Sequence, residues 1–245
     1  MTDAEASASR GRLLGGWKGA LIAAILGALV GGALMALFSG QLVRRYLLAN
    51  PEIIPEAMQR LEDRKTADTL AAHRAAIETP FASAWAGAKD GDVVLVEFFD
   101  YACSYCRKSI ADVERLIGED RKLKVVWREL PVLGPGSEDA AQVSLAAAKA
   151  GRFKPFYDRM FALGRPSAGT IAEASRAVGL TGAQAEEMSG SPAALAELRR
   201  NYELAQVLRS SGTPTFVVGD RVLNGAVGYD TLKEAIAEAR TRDRG

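Results

Sequence analysis

A chain of 245 residues with 31 Lys and Arg against 30 Asp and Glu carries a net charge of +1, which leaves no basic field for binding nucleic acid. Hydrophobic residues make up 48% of the chain, and with the apolar N-terminal stretch set aside about 200 residues are left, enough for one sizeable core. Two cysteines and one histidine cannot complete a four-Cys or a two-Cys, two-His structural zinc site within one chain.

The polar residues 1–16 read as a short disordered cytoplasmic tail. From Gly19 to Val43 no residue is charged, and the stretch is long enough to cross a hydrocarbon layer of about 30 Å. Lys18 precedes it, Arg44-Arg45 follow it, and Trp17 and Tyr46 stand where interfacial rings are enriched. Residues 17–45 are therefore expected to form a transmembrane helix. Arg10, Arg12 and Lys18 also suit the charged start of a signal peptide, but the apolar run is longer than a signal peptide's. It ends Ala36-Leu37-Phe38-Ser39-Gly40 with no small-x-small cleavage site, so the anchor is read as retained. The basic residues ahead of the span place the N-terminus in the cytoplasm. Gly27 and Gly31 form a small-xxx-small pair, which a span this rich in Gly and Ala also produces by chance.

Residues 46–92 follow as a helical stalk or linker. Pro51 and Pro55 break its beginning, and Ile54, Met58 and Leu61, spaced four and three apart, give it an apolar face. Such a stripe either docks on its own domain or joins copies of the chain as an oligomerisation stalk. His73 reads as an ordinary surface-helix residue. Pro80, Gly87 and Asp90-Gly91 mark a loop from Thr79 to Asp92.

Residues 93–135 carry the chemistry. The run Val93 to Phe99 is apolar at nearly every position and predicts a central strand covered on both faces. It leads into Cys103-Ser104-Tyr105-Cys106, and a strand running into Cys-x-x-Cys reads as a thiol-disulfide site. A helix that starts at the first cysteine points free N–H groups and its positive dipole end at the sulfur, which favours the reactive thiolate. The bland alternatives are two packed small residues or half of a metal site. Ile110, Val113 and Leu116 continue the helix to about Gly118, and Leu123 to Leu130, ended by Pro131, forms a second strand.

Residues 136–210 are rich in Ala and Leu and broken at Gly151, Gly164 to Pro166, Gly179 to Gly182 and Ser189 to Pro192. They read as a helical insertion. In residues 211–245, Thr215 to Gly219 and Arg221 to Leu223 form a hairpin, followed by a helix from Asp230 to about Arg240.

The run from Glu97 through Cys103-Ser104-Tyr105-Cys106 to Lys108, the helical insert and Gly212-Thr213-Pro214-Thr215-Phe216 together resemble the DsbA-type thiol-disulfide oxidoreductases, most of all the membrane-anchored or exported ScsC-like group. Tyr46 to Glu52 is similar to the segment these relatives carry ahead of the catalytic domain. The resemblance implies an α/β, thioredoxin-like fold with an inserted helical subdomain, here preceded by the transmembrane helix. It also implies that Cys103 is the exposed nucleophile, Cys106 the buried resolving cysteine and Pro214 the cis-proline facing them. Thr213, Ser104 and Tyr105 would contact substrate, and Glu97 would be either a proton relay for Cys106 or an ordinary strand carboxylate. Ser104-Tyr105 departs from the Pro-His of the strongly oxidising members and leaves the direction of reaction open.

The expected protein is a bacterial inner-membrane, single-pass thiol-disulfide oxidoreductase with its catalytic domain in the periplasm. It needs no dissociable cofactor. Its partners would be exported protein thiols and disulfides and a membrane redox protein, DsbB-like or DsbD-like, that resets it. A copper(I)-binding role for the same cysteine pair and a non-catalytic chaperone role are the alternatives.

Overall fold

The computed structural model describes residues 10–242, with the backbone alone for 10–16, 18, 34 and 36–39. The predicted tail falls on residues 1–9, outside the described residues, and on 10–16, which open the helix α1 (Arg10–Ala49). α1 contains the whole uncharged stretch, part of it on residues without described side chains. Among the described residues, no helix is long and apolar enough to cross a membrane. The chain divides into two compact units at Leu61/Glu62.

In the first unit, the side chains of Ile54, Met58 and Leu61 on α2 (Ile53–Glu78) are exposed. In the second, Leu70 and Ile77 of the same helix are buried against the sheet. Of the segment 46–92, residues from Glu62 on fall in the second unit. The predicted loop before the first long strand also contains an edge strand, β1 (Trp85–Gly87), paired antiparallel with β3 (Leu123–Glu129). A strand of three residues is too short to show alternation.

β2 (Val93–Phe99) occupies the predicted span and lies at the centre of a five-stranded sheet of order β1-β3-β2-β4-β5, where β4 is Thr215–Val218 and β5 is Arg221–Asn224. β2 and β3 run parallel, joined by α3 (Ser104–Glu119), while the other pairs are antiparallel. The β4–β5 turn passes through Gly219 at φ +55°, where a Cβ would lie 2.8 Å from the Cβ of Ala239 in α9 (Tyr229–Arg242). The predicted insertion is five helices between β3 and β4: α4 (Pro135–Lys149), α5 (Phe153–Leu163), α6 (Ala168–Ala177), α7 (Gly182–Met188) and α8 (Pro192–Val207).

The period-2 alternation of β2 divides the core. Leu95 and Phe99 face an aromatic cluster with Tyr101, Trp127, Phe153, Phe156, Tyr157 and Phe161. Val96 and Phe98 face the other way, toward Leu70 and Ile77 of α2 and Leu204 of α8. On that second side Arg128 is 2% exposed and gathers the elements around it. Its guanidinium donates to the carbonyls of Ile77 (2.8 Å), Thr79 (2.6 Å) and Ala76 at the end of α2. It also donates to Asn201 (2.7 Å) and Glu197 (3.1 Å) of α8. The last carbonyls of a helix have no intrahelical partner, and Arg128 supplies one from the neighbouring strand.

Arg128→Met keeps the apolar stem but strips three carbonyls and Glu197 of their donor. A loss of about 3 to 5 kcal/mol is expected, as when one member of a buried ion pair is removed. Urea unfolding of parent and variant measures it, and a change below about 1 kcal/mol would mean that Arg128 does not hold α2 and α8 to the sheet.

Candidate active site

At the end of β2 the chain must leave the sheet and deliver a sulfur to the start of a helix. Asp100, 1% exposed, fixes that turn. One carboxylate oxygen accepts from the Ala102 N–H (2.7 Å) and the Ser137 hydroxyl (2.6 Å), the other from the N–H groups of Val132 (2.8 Å) and Leu133 (2.9 Å). The bond to the residue two places on is the local turn that Asp favours. The remaining three tie this turn to the loop after β3 and to α4.

Cys103 then serves as the N-cap of α3. Its sulfur accepts from the Cys106 N–H at 3.4 Å, the place a Ser or Asp oxygen takes at most helix starts. The Cys103 thiol donates to the Thr213 carbonyl at 3.2 Å. The Thr213–Pro214 bond is cis, as the resemblance implied, and Gly212 before it sits at φ +141°, where glycine is favoured. Cys103 and Thr213 thus come together from segments 110 residues apart, with Cys106 and Pro214 beside them in the chain.

The expected exposed nucleophile needs correcting. Cys103 is only 6% exposed, against 0% for Cys106, because the Thr213 loop lies over its sulfur. Ser104 and Tyr105 are exposed beside it, Tyr105 at 63%. Arg107, in the first turn of α3, donates to the Phe161 carbonyl (2.5 Å) and so ties this helix to α5.

Beneath the cysteines, Glu97 is fully buried. One carboxylate oxygen accepts from the Trp127 indole N–H (2.9 Å), while the other has no hydrogen-bond partner among the described residues. Burial pushes its pKa up to about 8, against the opposing pull of the Trp127 indole and, more weakly, the Tyr157 hydroxyl. The Cys106 thiol is held well above its ordinary range, first by burial and next by the charge of Glu97. Acid and thiol are therefore electrostatically coupled.

Sequence reading missed Asp100 and a second buried acid, Glu129. One Glu129 oxygen has no hydrogen-bond partner among the described residues, and burial, followed by the charge of Asp100, raises its pKa. The nearby Tyr101 hydroxyl bonds Ser144 at 2.8 Å. An Asp just before a predicted turn was the signal available for Asp100; for Glu129, inside an alternating strand, there was none.

Residues 94–237 match the model of the DSBA-like thioredoxin domain. The chain belongs to the DsbA-like thioredoxin family, a family of thiol-disulfide oxidoreductases. Residues 40–67 match the N-terminal domain of copper resistance protein ScsC. Among solved structures, the DsbA-like fold is similar to a thioredoxin-like oxidoreductase of Silicibacter pomeroyi, at 36% identity and TM-score 0.62, over 64% of this chain and 91% of that one. It is also similar to the catalytic domain of Proteus mirabilis ScsC, at 30% identity and TM-score 0.64, over 71% and 98%. Among curated proteins, it is 29% identical over 168 residues to the Na(+)/H(+) antiporter NhaA 3 of Salinispora tropica, covering 65% of this chain. The chain spans only about a quarter (26%) of that antiporter's length.

The raised pKa of Glu97 has a measurable consequence. Between its ordinary 4.5 and about 8 the folded chain keeps a proton that the unfolded chain has lost, so this group lowers stability as pH rises through that window. Glu97→Gln removes the difference and is expected to gain stability over the parent on going from about pH 5 to about pH 9, by on the order of 4 kcal/mol. Glu129 leaves a residual slope of the same sign. Denaturant unfolding of the reduced protein at both pH values tests it, and a constant difference between parent and variant would mean that Glu97 ionises normally.

Proposed function

We propose that this protein is a membrane-anchored thiol-disulfide oxidoreductase acting on exported proteins outside the cytoplasm through Cys103-Ser104-Tyr105-Cys106. The observation that carries the reading is the Cys103 sulfur at the head of α3, held between the Cys106 N–H and the Thr213 carbonyl.

In the oxidising direction a substrate thiolate attacks the Cys103 sulfur of the Cys103–Cys106 disulfide. A mixed disulfide forms and Cys106 leaves as a thiolate. Cys106 is the poorer site for charge, because burial and Glu97 both work against its ionisation. The neutral Glu97 carboxyl gives its proton to the departing sulfur and then recovers one from solvent. A second substrate thiolate attacks the substrate sulfur, completing the substrate disulfide and releasing Cys103 as a thiolate. Two electrons have then moved from substrate to protein. A quinone-linked DsbB-like oxidase would remove them; a DsbD-like reductase would instead keep the pair reduced for disulfide reduction or isomerisation. With Ser104-Tyr105 between the cysteines no imidazole adds positive charge, so the partner decides the direction.

The anchor rests on α1. At 1.5 Å per residue, the stretch from Gly19 to Val43 is about 37 Å long, enough for the hydrocarbon layer. Leu21, Ile22, Ile25, Leu26, Leu29 and Val30 are all exposed on it, and such a row of exposed apolar side chains favours an apolar surrounding. Periplasmic placement fits the Salmonella enterica relative whose structure is described as a periplasmic thioredoxin-like protein, 27% identical with TM-score 0.62. The exposed stripe Ile54, Met58 and Leu61 supports self-association through the stalk.

Two experiments test this reading. With a disulfide-bonded peptide substrate, Cys103→Ala is expected to lower exchange roughly a hundredfold or more, whereas in Cys106→Ala the Cys103 thiolate attacks the peptide disulfide, releases one peptide thiolate and accumulates as a mixed disulfide visible on non-reducing gels. Adducts that persist in Cys103→Ala and vanish in Cys106→Ala would reverse the roles. For topology, a phosphatase reporter fused after Gly245 is expected to be active outside the cytoplasm and to sediment with carbonate-washed membranes. A soluble periplasmic form beginning near residue 40 would remove the anchor.

A further inference from the structure

The Thr213 carbonyl can face the Cys103 sulfur only if residues 210–215 are held in one conformation, and three polar side chains hold them. Thr215, with no exposed surface, pairs directly across the β4–β5 ladder with Asn224. Asn224 Oδ1 lies 3.1 Å from both the Ser211 N–H and the Thr215 hydroxyl. Ser210 Oγ accepts from the Gly212 N–H (3.3 Å) and lies 3.0 Å from the Gly212 carbonyl and 2.8 Å from Thr215 Oγ1. Thr215 Oγ1 is itself 2.7 Å from the Gly212 carbonyl. On the far side, the Gly225 N–H donates to the Pro214 carbonyl at 2.8 Å.

Each hydroxyl has a single proton, and counting them orders the network. If Thr215 donates to Gly212, Asn224 keeps only the Ser211 N–H. If Ser210 donates to Gly212, Thr215 is free to donate to Asn224, and every acceptor is filled. In that second arrangement Asn224 Oδ1 is the one acceptor that clamps both ends of the Ser211–Thr215 segment, from outside it. Asn224 is the last residue of an edge strand and carries no other assigned role.

We propose that Asn224, acting through Thr215 and Ser211, is a positioning residue that sets the Thr213 backbone against Cys103 and so governs how an extended peptide is received there. The proposal rests on the oxidoreductase reading above. A peptide lying across Cys103 uses backbone hydrogen bonds at residue 213, whereas sulfur exchange needs only the two cysteines and the attacking sulfur. Loosening the segment should therefore weaken peptide binding more than turnover.

The test is steady-state exchange by the full-length chain with a disulfide-bonded peptide, comparing parent, Asn224→Ala, Asn224→Asp and Thr215→Val. Asn224→Ala is expected to raise KM about fivefold, the effect of losing roughly one neutral hydrogen bond, with kcat within about twofold of the parent. Asn224→Asp keeps an acceptor oxygen in place and is expected to restore the parent KM. Thr215→Val keeps the buried volume but loses the donor, and should raise KM in the same direction. The proposal is overturned if Asn224→Ala leaves KM unchanged, if kcat and KM degrade together, or if Asp rescues no better than Ala. A parent chain with no exchange activity would instead defeat the oxidoreductase reading, a separate and recognisable result.

Discussion

The active site hangs on one buried carboxylate. Asp100 accepts four hydrogen bonds from three segments: its own turn, the loop after β3 and the start of α4. Two parallel strands end side by side at this point, Phe99 opposite Glu129, and each must release its chain toward a helix. Backbone N–H groups at such ends have lost their strand partners and need others. Asp100 supplies them, and in doing so fixes the angle at which α3 begins. The Cys103 sulfur takes the N-cap position because that start is fixed, and Cys106 is buried one turn further on as a direct result.

That geometry makes two chemically similar cysteines unequal. Cys103 has a backbone N–H pointed at its sulfur, whereas Cys106 has the apolar interior and, beneath it, Glu97. A buried carboxylic acid with one unpartnered oxygen is costly as a structural element. In the proposed mechanism that acid is the proton donor to the departing Cys106 thiolate. Trp127 and Tyr157 line the acid with rings and hydrogen-bond donors. Lys154, whose ammonium lies about 6 Å from both rings (5.9 and 5.7 Å), closes the cluster on its outer side. The helical insertion therefore reaches the acid: α5 provides Tyr157, whose hydroxyl acts on Glu97, and Lys154, which lies against the Tyr157 ring.

Much of this was legible in the residues themselves. The apolar run Val93 to Phe99, the Cys-x-x-Cys at its end and the Gly-Thr-Pro before a strand are strong local signals, and the observed β2, α3 and Thr213–Pro214 lie where those signals put them. What was not legible depends on distance in sequence. The edge strand β1 is made by its partner β3, 37 residues on at Gly87↔Lys124, and three residues carry no period of their own. The low exposure of Cys103 depends on a loop 110 residues away. Arg128 and Glu129 look alike as charges in an alternating strand. Yet one is satisfied by five acceptors and the other has an orphan oxygen, a difference set entirely by α2, α8 and Tyr101.

The two faces of the sheet divide their tasks accordingly. On the face of Leu95 and Phe99 lie the acid, the cysteines and the aromatic cluster, where small displacements alter chemistry. On the face of Val96 and Phe98, Arg128 clamps α2 and α8 through carbonyls and side chains that take no part in sulfur exchange. Both faces meet at β4, which carries Phe216 toward the first and Val217 toward the second and starts at Thr215. Because β4 begins one residue after Pro214, any shift of the sheet is delivered to the Thr213 carbonyl. A rigid second face is thus a requirement of the first: the contact at 3.2 Å between Thr213 and Cys103 is only as well defined as the strand that carries it.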